Sequence, residues 1–178
     1  MSATNSPAML TVIGNIFDRL AQGGERETAR EFNLDTKLVW LTNKVGDITN
    51  TEIHECRSHK VYAVACCAFA WLESLHINRI DLVARIADER LRQKQLFADR
   101  VHHFRTDSPV VDWKRKLRVL LEEVGEVAQA IDRLERSPRS THLKRHFVTE
   151  LIQVAAVCVA WLEAHEAPGG AATIKEGK

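Results

Sequence analysis

The chain has 178 residues and a mass of 20.2 kDa, with 25 Lys and Arg against 24 Asp and Glu and a formal net charge of +1. That balance gives no single-sign field over the surface and argues against a general binder of nucleic acid or anionic membranes. With 45% hydrophobic and 28% charged residues, extensive disorder is excluded, and only 8 Gly and 4 Pro punctuate the chain, so an all-α helical bundle is expected.

In chain order, a first helix is predicted from Pro7 to about Ala21, stopped by Gly23-Gly24, with a polar stretch following to about Asn33. Asp35 is the expected N-cap of a second helix, Thr36 to about Asn50, whose Leu38, Leu41, Val45 and Ile48 form one apolar stripe. A third helix, about His54 to His76, carries the run Val61 to Leu72, apolar almost all round and therefore expected at the centre of a bundle. Asn78 caps a charged fourth helix, Arg79 to about His103, and Ser108-Pro109 is read as the start of a helix that runs from Val110 to about Arg136. Ser137-Pro138 ends it, a last helix spans Thr141 to about Glu166, and the tail 168–178 is expected to be mobile.

Cys56, Cys66, Cys67 and Cys158 show no C-x-x-C spacing, and they read as buried thiols of a cytoplasmic protein. No basic leader precedes the first helix, and no run approaches the roughly 20 apolar residues of a membrane span, so neither a signal peptide nor a span is expected.

The two halves of the chain match one another. Lys37-Leu38, Leu41 and Val45-Gly46-Asp47-Ile48 correspond to Lys116-Leu117, Leu120 and Val124-Gly125-Glu126-Val127. Val64-Ala65 and Ala70-Trp71-Leu72-Glu73 correspond to Val154-Ala155 and Ala160-Trp161-Leu162-Glu163. The expected organisation is a degenerate first repeat over 1–77, a second repeat over 78–167, and the tail. Gly125 within a helix suggests close approach of a neighbouring helix or ligand, and Gly46 in the matching place favours packing over chemistry.

The second repeat gathers acids. Glu123 and Glu126 are three residues apart and share a helix face, with Glu122 beside them; Glu150 and Gln153 have the same spacing inside the least polar helix. In two antiparallel helices joined by a short turn, residues equally far from the turn meet. The pairs Glu126 with Glu150 and Glu123 with Gln153 are both centred on position 138, in the expected turn. Carboxylates gathered against apolar surface need protons, cationic partners or a metal, and oxygen-only ligands suit Mg²⁺, or Mn²⁺, rather than zinc. A di-iron site is disfavoured because neither Glu123 nor Glu150 has His three residues on. The alternative is a solvated acidic face beside Arg118 and Arg133. In the first repeat the matching positions hold Asn43, Lys44, Asp47, Lys60 and Ala63, which cannot assemble an equivalent cation site.

The pattern E-E-V-G-E at 122–126, followed by E-L-I-Q-V-A-A-V at 150–157, resembles the MazG-like, all-α nucleoside triphosphate pyrophosphohydrolase superfamily, which includes dimeric dUTPases and dCTP pyrophosphatases. The resemblance covers roughly 113–166. It implies that Glu123, Glu126 and Glu150 are metal-binding acids, that Gln153 stands where the family has aspartate, and that Glu123 is the general base. It further implies Mg²⁺-dependent hydrolysis of a nucleoside triphosphate between the α- and β-phosphates, giving the monophosphate and pyrophosphate. Gln153 departs from the pattern: an amide oxygen can still face a cation, but one negative charge is lost. Glu122 reads either as a support for the ligands or as exposed. Arg118, Lys144, Arg145 and His146 are candidates to meet phosphate, and Trp113 to stack on a base, each set against a plain reading as solvated or core residues. Family members are commonly dimers, so the chain is expected to be a homodimer or, through its repeat, a pseudo-dimer. The rival readings are a helical nucleotide-binding or regulatory protein without turnover, a structural scaffold and, more remotely, a histidine phosphotransfer bundle.

Overall fold

The computed structural model describes residues 6–51, 54–99 and 106–166, without the side chains of 54–56. The tail 168–178, His102-His103 and the Cys56 side chain lie outside the described residues. Among those described there are seven helices and no strand, as expected for an all-α bundle: α1 Pro7–Gln22, α2 Glu25–Glu31, α3 Leu34–Thr49, α4 His54–Ser74, α5 Arg79–Ala98, α6 Trp113–Arg136 and α7 Thr141–Glu166.

The caps explain most boundaries. Pro7 sits in the first turn of α1, where its missing N–H costs nothing, and Gly23 ends that helix in an extended conformation. Asn78 caps α5 by accepting from the Asp81 N–H at 2.9 Å, as predicted. The stretch 25–33, expected to be irregular, instead holds α2. That helix buries one apolar residue, Ala29, and is fastened by the Arg26 guanidinium, 2.6 Å from Glu73 on α4. Asn33 caps α3 through the Thr36 N–H at 2.8 Å, two residues before the expected Asp35, which lies in the first turn where its charge favours the positive end of the helix. The Ser108-Pro109 start is likewise corrected. The segment from Ser108 to Val111 closes as a turn, and α6 begins at Trp113 because Asp112 offers a carboxylate to the Lys114 N–H at 3.2 Å. Ser140 Oγ accepts from the Leu143 N–H at 3.3 Å at the start of α7, after a turn centred on the expected Ser137-Pro138.

Two helices form the interior. α4 packs against α1, α2, α3 and α7, and α7 packs against α1, α4, α5 and α6. This is why both are apolar on nearly every side. Trp71 of α4 and Phe147 of α7 meet with ring centroids 5.6 Å apart, and Phe69, Leu72, Leu151 and Leu162 are fully enclosed with them. Each such side chain stabilises the fold by about 1.5–3 kcal/mol relative to exposure. By length and composition α7 could cross a membrane, contrary to the expectation that no segment qualifies, but 83% of its apolar window is buried inside the bundle, as befits a core helix. Cys66, Cys67 and Cys158 are buried free thiols; burial pushes the Cys66 thiol up to about 12 and raises the other two, which keeps all three protonated.

Two arrangements recur. α3 packs on α4 as α6 packs on α7, and α2 lies on α4 as α5 lies on α7. The Glu of each Trp-Leu-Glu triplet receives an arginine from the helix laid across it. Arg26 of α2 reaches Glu73, and the buried Arg90 of α5 reaches Glu163 at 3.0 Å, with Asp107 at 2.9 Å on its other side. Lys37 and Lys116 are both buried; Lys37 bonds Ser74 Oγ at 3.1 Å, and burial lowers the Lys116 ammonium to about 8.

Candidate metal centre

α6 and α7 bring Glu123, Glu126 and Glu150 together: one carboxylate oxygen from each lies within 4.8 Å of the others. Glu126 and Glu150 thus face one another across the two helices, as the pairing about position 138 requires. Glu126 is exposed, Glu123 half-buried and Glu150 buried, so the three run from the rim of a groove to its floor. The Oε2 atoms of Glu123 and Glu150 are buried and have no hydrogen-bond partner.

Electrostatics follow from that crowding. Burial, reinforced by Glu126, Glu89, Glu150 and Glu122, pushes the Glu123 carboxyl up to about 8. Burial and then Glu126 push Glu150 up to about 7, with Glu89 adding to the rise and Arg92 opposing it. At neutral pH the cluster therefore retains protons that a cation would displace. Oxygen donors alone, two of them without partners and held against apolar helices, suit a hard divalent ion such as Mg²⁺ or Mn²⁺.

The remaining predicted residues divide. Gln153 is half-buried one turn beyond Glu150, and Glu122 is exposed. His146 is drawn into the site as a support. Its Nδ1 lies 2.9 Å from Glu150 Oε1, and its Nε2 faces the Arg133 guanidinium at 3.3 Å. Arginine can only donate, so Nε2 accepts and Nδ1 carries the hydrogen given to Glu150. His146 thus fixes the carboxylate and does not face a phosphate. Arg118, Lys144 and Arg145 are exposed, and among the described residues no ion pair joins them to the acids. Trp113 packs half-buried against the core with the Arg57 guanidinium 4.0 Å over its ring, a face therefore closed to a nucleobase. The packing reading of Gly125 and Gly46 does not hold: both are exposed, and a Cβ at either would meet open space.

The sequence shows α5 as a helix but not its approach to the acids. Glu89, 8% exposed, turns its charge on both Glu123 and Glu150, and Arg92 one turn later faces the same two acids. A signal was present. The stripe Leu82 and Ile86 continues at helical spacing into Glu89, Arg90 and Gln93, so charged residues occupy positions that the pattern assigns to the interior. No protein-family model, curated protein or solved structure matches the chain.

Proposed function

We propose that the groove between α6 and α7 binds Mg²⁺ and that the chain hydrolyses a nucleoside triphosphate to the monophosphate and pyrophosphate. The supporting observation is the trio Glu123, Glu126 and Glu150, converging within 4.8 Å with two buried, partnerless oxygens, in the E-x-x-E and E-x-x-Q pattern that resembles the MazG-like superfamily. In this reading Glu123, Glu126 and Glu150 hold the ion, with Gln153 offering a neutral oxygen. When bound, Mg²⁺ neutralises phosphate charge and favours ionisation of the attacking water. Glu123, whose carboxyl titrates near neutrality, accepts the proton of that water. His146, itself held by Arg133, keeps Glu150 turned toward the groove. The halves α2–α4 and α5–α7 are read as two copies of one unit, one carrying the site, so that a single chain provides what a dimer of simpler chains would.

Product analysis tests this directly, with canonical and modified NTPs and dNTPs in Mg²⁺, in Mn²⁺ and in chelator. Metal-dependent release of pyrophosphate with the monophosphate is expected. A second reading, nucleotide binding without turnover, draws on Gln153, which removes a charge from the resembled pattern; it predicts metal-dependent binding with no product, whereas a structural scaffold predicts neither.

A further inference from the structure

The acids occupy one stretch of the α6–α7 groove, and the groove runs on toward the turn that joins the two helices. We propose that its turn end, at Arg133, is an anion subsite that takes the outer phosphates of a polyphosphate chain whose nearest phosphate sits on the cation. The inference rests on the metal-site reading above and adds the direction in which the ligand lies, with its phosphate tail toward the turn and the remainder toward the start of α6.

Two contacts in series carry it. Arg133 reaches across the hairpin to His146 Nε2 at 3.3 Å, and His146 Nδ1 lies 2.9 Å from Glu150 Oε1, so the guanidinium stands one imidazole ring away from a carboxylate of the acid trio. The helix period agrees. Arg133 lies seven residues beyond Glu126, two turns along the same face of α6, as His146 lies one turn before Glu150 on α7. Glu126 and Arg133 are thus about 10 Å apart along the axis, and helical side chains slant toward the N-terminus, which brings the guanidinium back toward the acids.

Arg133 also has charge to spare. It is exposed, and its helical neighbours at three- and four-residue steps are Gln129, Ala130, Arg136 and Ser137, none of them acidic. Asp132 is taken by Arg136 at 2.7 Å, and among the described residues no ion pair holds Arg133. The neutral ring of His146 engages one of its five N–H groups and none of its charge. At the acid end, Glu150 is more than nine-tenths buried, with Oε1 on His146 and Oε2 unpartnered, so the oxygen left for a cation is fixed by the same chain of contacts. Once a divalent cation neutralises the acids, the groove presents two positive centres in line, and a polyanion is the ligand that satisfies both. Arg133 can keep one N–H on His146 and turn the other edge of its fork to phosphate. A bond from an exposed arginine to a neutral ring contributes little to stability, since ordering the side chain offsets it.

The probe is inorganic tripolyphosphate, titrated calorimetrically into the full chain with Mn²⁺ in excess, with Mn²⁺ alone titrated in parallel. Arg133→Gln is expected to weaken tripolyphosphate binding by about tenfold or more, with Mn²⁺ affinity within about threefold of the unaltered chain. Arg133→Lys, which keeps the charge, should recover part of the loss. Arg136→Gln, one turn on and already paired with Asp132, should stay within about twofold. Tripolyphosphate affinity unchanged in Arg133→Gln, or lowered equally by Arg136→Gln, would overturn the subsite. A fall in Mn²⁺ affinity that accounts for the whole loss would also overturn it, since Arg133 would then act only by holding His146 on Glu150. If the unaltered chain binds Mn²⁺ but no tripolyphosphate, the inference fails and the cation site stands; if it binds no Mn²⁺, the metal-site reading fails and this inference with it.

Discussion

The α3–α4 and α6–α7 hairpins follow one sequence pattern and carry different chemistry. Positions with apolar bulk in both are buried in both: Leu41 and Leu120, Val45 and Val124, Ile48 and Val127, Trp71 and Trp161. The unusual polar features are also shared, a buried lysine at Lys37 and Lys116 and an arginine-held glutamate at Glu73 and Glu163. The halves part at the acids. Where α6 and α7 have Glu123, Glu150 and Gln153, α3 and α4 have Lys44, Lys60 and Ala63, all half-buried. Glu25, the residue before Arg26 as Glu89 is the residue before Arg90, keeps a buried partnerless oxygen, and its charge and that of Lys44 both reach Cys67. One groove thus mixes signs, and the other gathers the carboxyl groups of Glu123, Glu126 and Glu150. Since a hairpin folds to the same plan with lysines, the fold does not require the acids, and the proposed metal site gives their presence in α6 and α7 a reason.

The largest expected effect breaks that asymmetry at its base. Glu123→Gln keeps shape and volume but removes the proposed general base, and under that proposal it should lower kcat/KM by about 10²–10⁴-fold with circular dichroism unchanged. Lys44→Gln, at the matching place in α3, should leave turnover within about twofold of the unaltered chain. Equal losses from the two would mean that both grooves, or neither, take part.

Next come the arginine anchors. Glu163→Gln leaves Arg90 buried with Asp107 as its remaining carboxylate partner, and urea unfolding should show a loss of about 3 kcal/mol. Glu73 and Arg26 are 17% and 24% exposed, so Glu73→Gln should cost about 1 kcal/mol or less. If the order is reversed, α5 is not pinned to α7 by Arg90.

A third comparison uses pH. Glu123 and Glu150 bind protons more tightly in the folded chain, near 8 and 7, than in the unfolded chain, where a glutamate titrates near 4.5. The unfolded state therefore holds fewer protons between those values, so stability falls as pH rises from about 4.5 and levels off above about 8. The loss should be several kcal/mol, with about 8 kcal/mol as its ceiling, measured as denaturant midpoints in chelator across that range. Mn²⁺ should flatten the slope by replacing the protons, and Glu123→Gln should remove its upper part. A slope between about pH 7 and 8 that survives in Glu123→Gln would assign that part to groups other than Glu123.

How far the sequence carried this picture depended on whether a feature was local. Glu126 and Glu150 could be placed level because both helices are unbroken and the turn between them is short, and the caps Asn78 and Pro7 announce themselves within four residues. α2 offers one buried apolar residue, Ala29, and so has no periodicity to read; it exists because Arg26 docks on a helix 47 positions away. Glu89, although it continues the Leu82 and Ile86 stripe, is hard to read for a related reason. Among the charges of α5 it looks like solvated surface, and only the packing of α5 on α7 turns it inward. His146 was legible as a neighbour of Glu150, but its role depended on Arg133 arriving from α6 to settle which nitrogen donates.

The smallest effect asks what Gly125 is for. A helical glycine is about 0.8–1 kcal/mol worse than alanine, and at both Gly46 and Gly125 a Cβ would enter open space, so packing does not explain either residue. Gly46→Ala and Gly125→Ala should each stabilise the chain by about 0.5–1 kcal/mol in urea, and by similar amounts because the surroundings are similar. Gly125, although between Glu123 and Glu126 in sequence, points about 160° round α6 from Glu123, away from the face the two acids share. Gly125→Ala should therefore leave KM for the nucleotide within about twofold of the unaltered chain, as Gly46→Ala does. A Gly125→Ala chain whose KM rises several-fold would instead put the ligand round α6, outside the groove that holds Glu123 and Glu150.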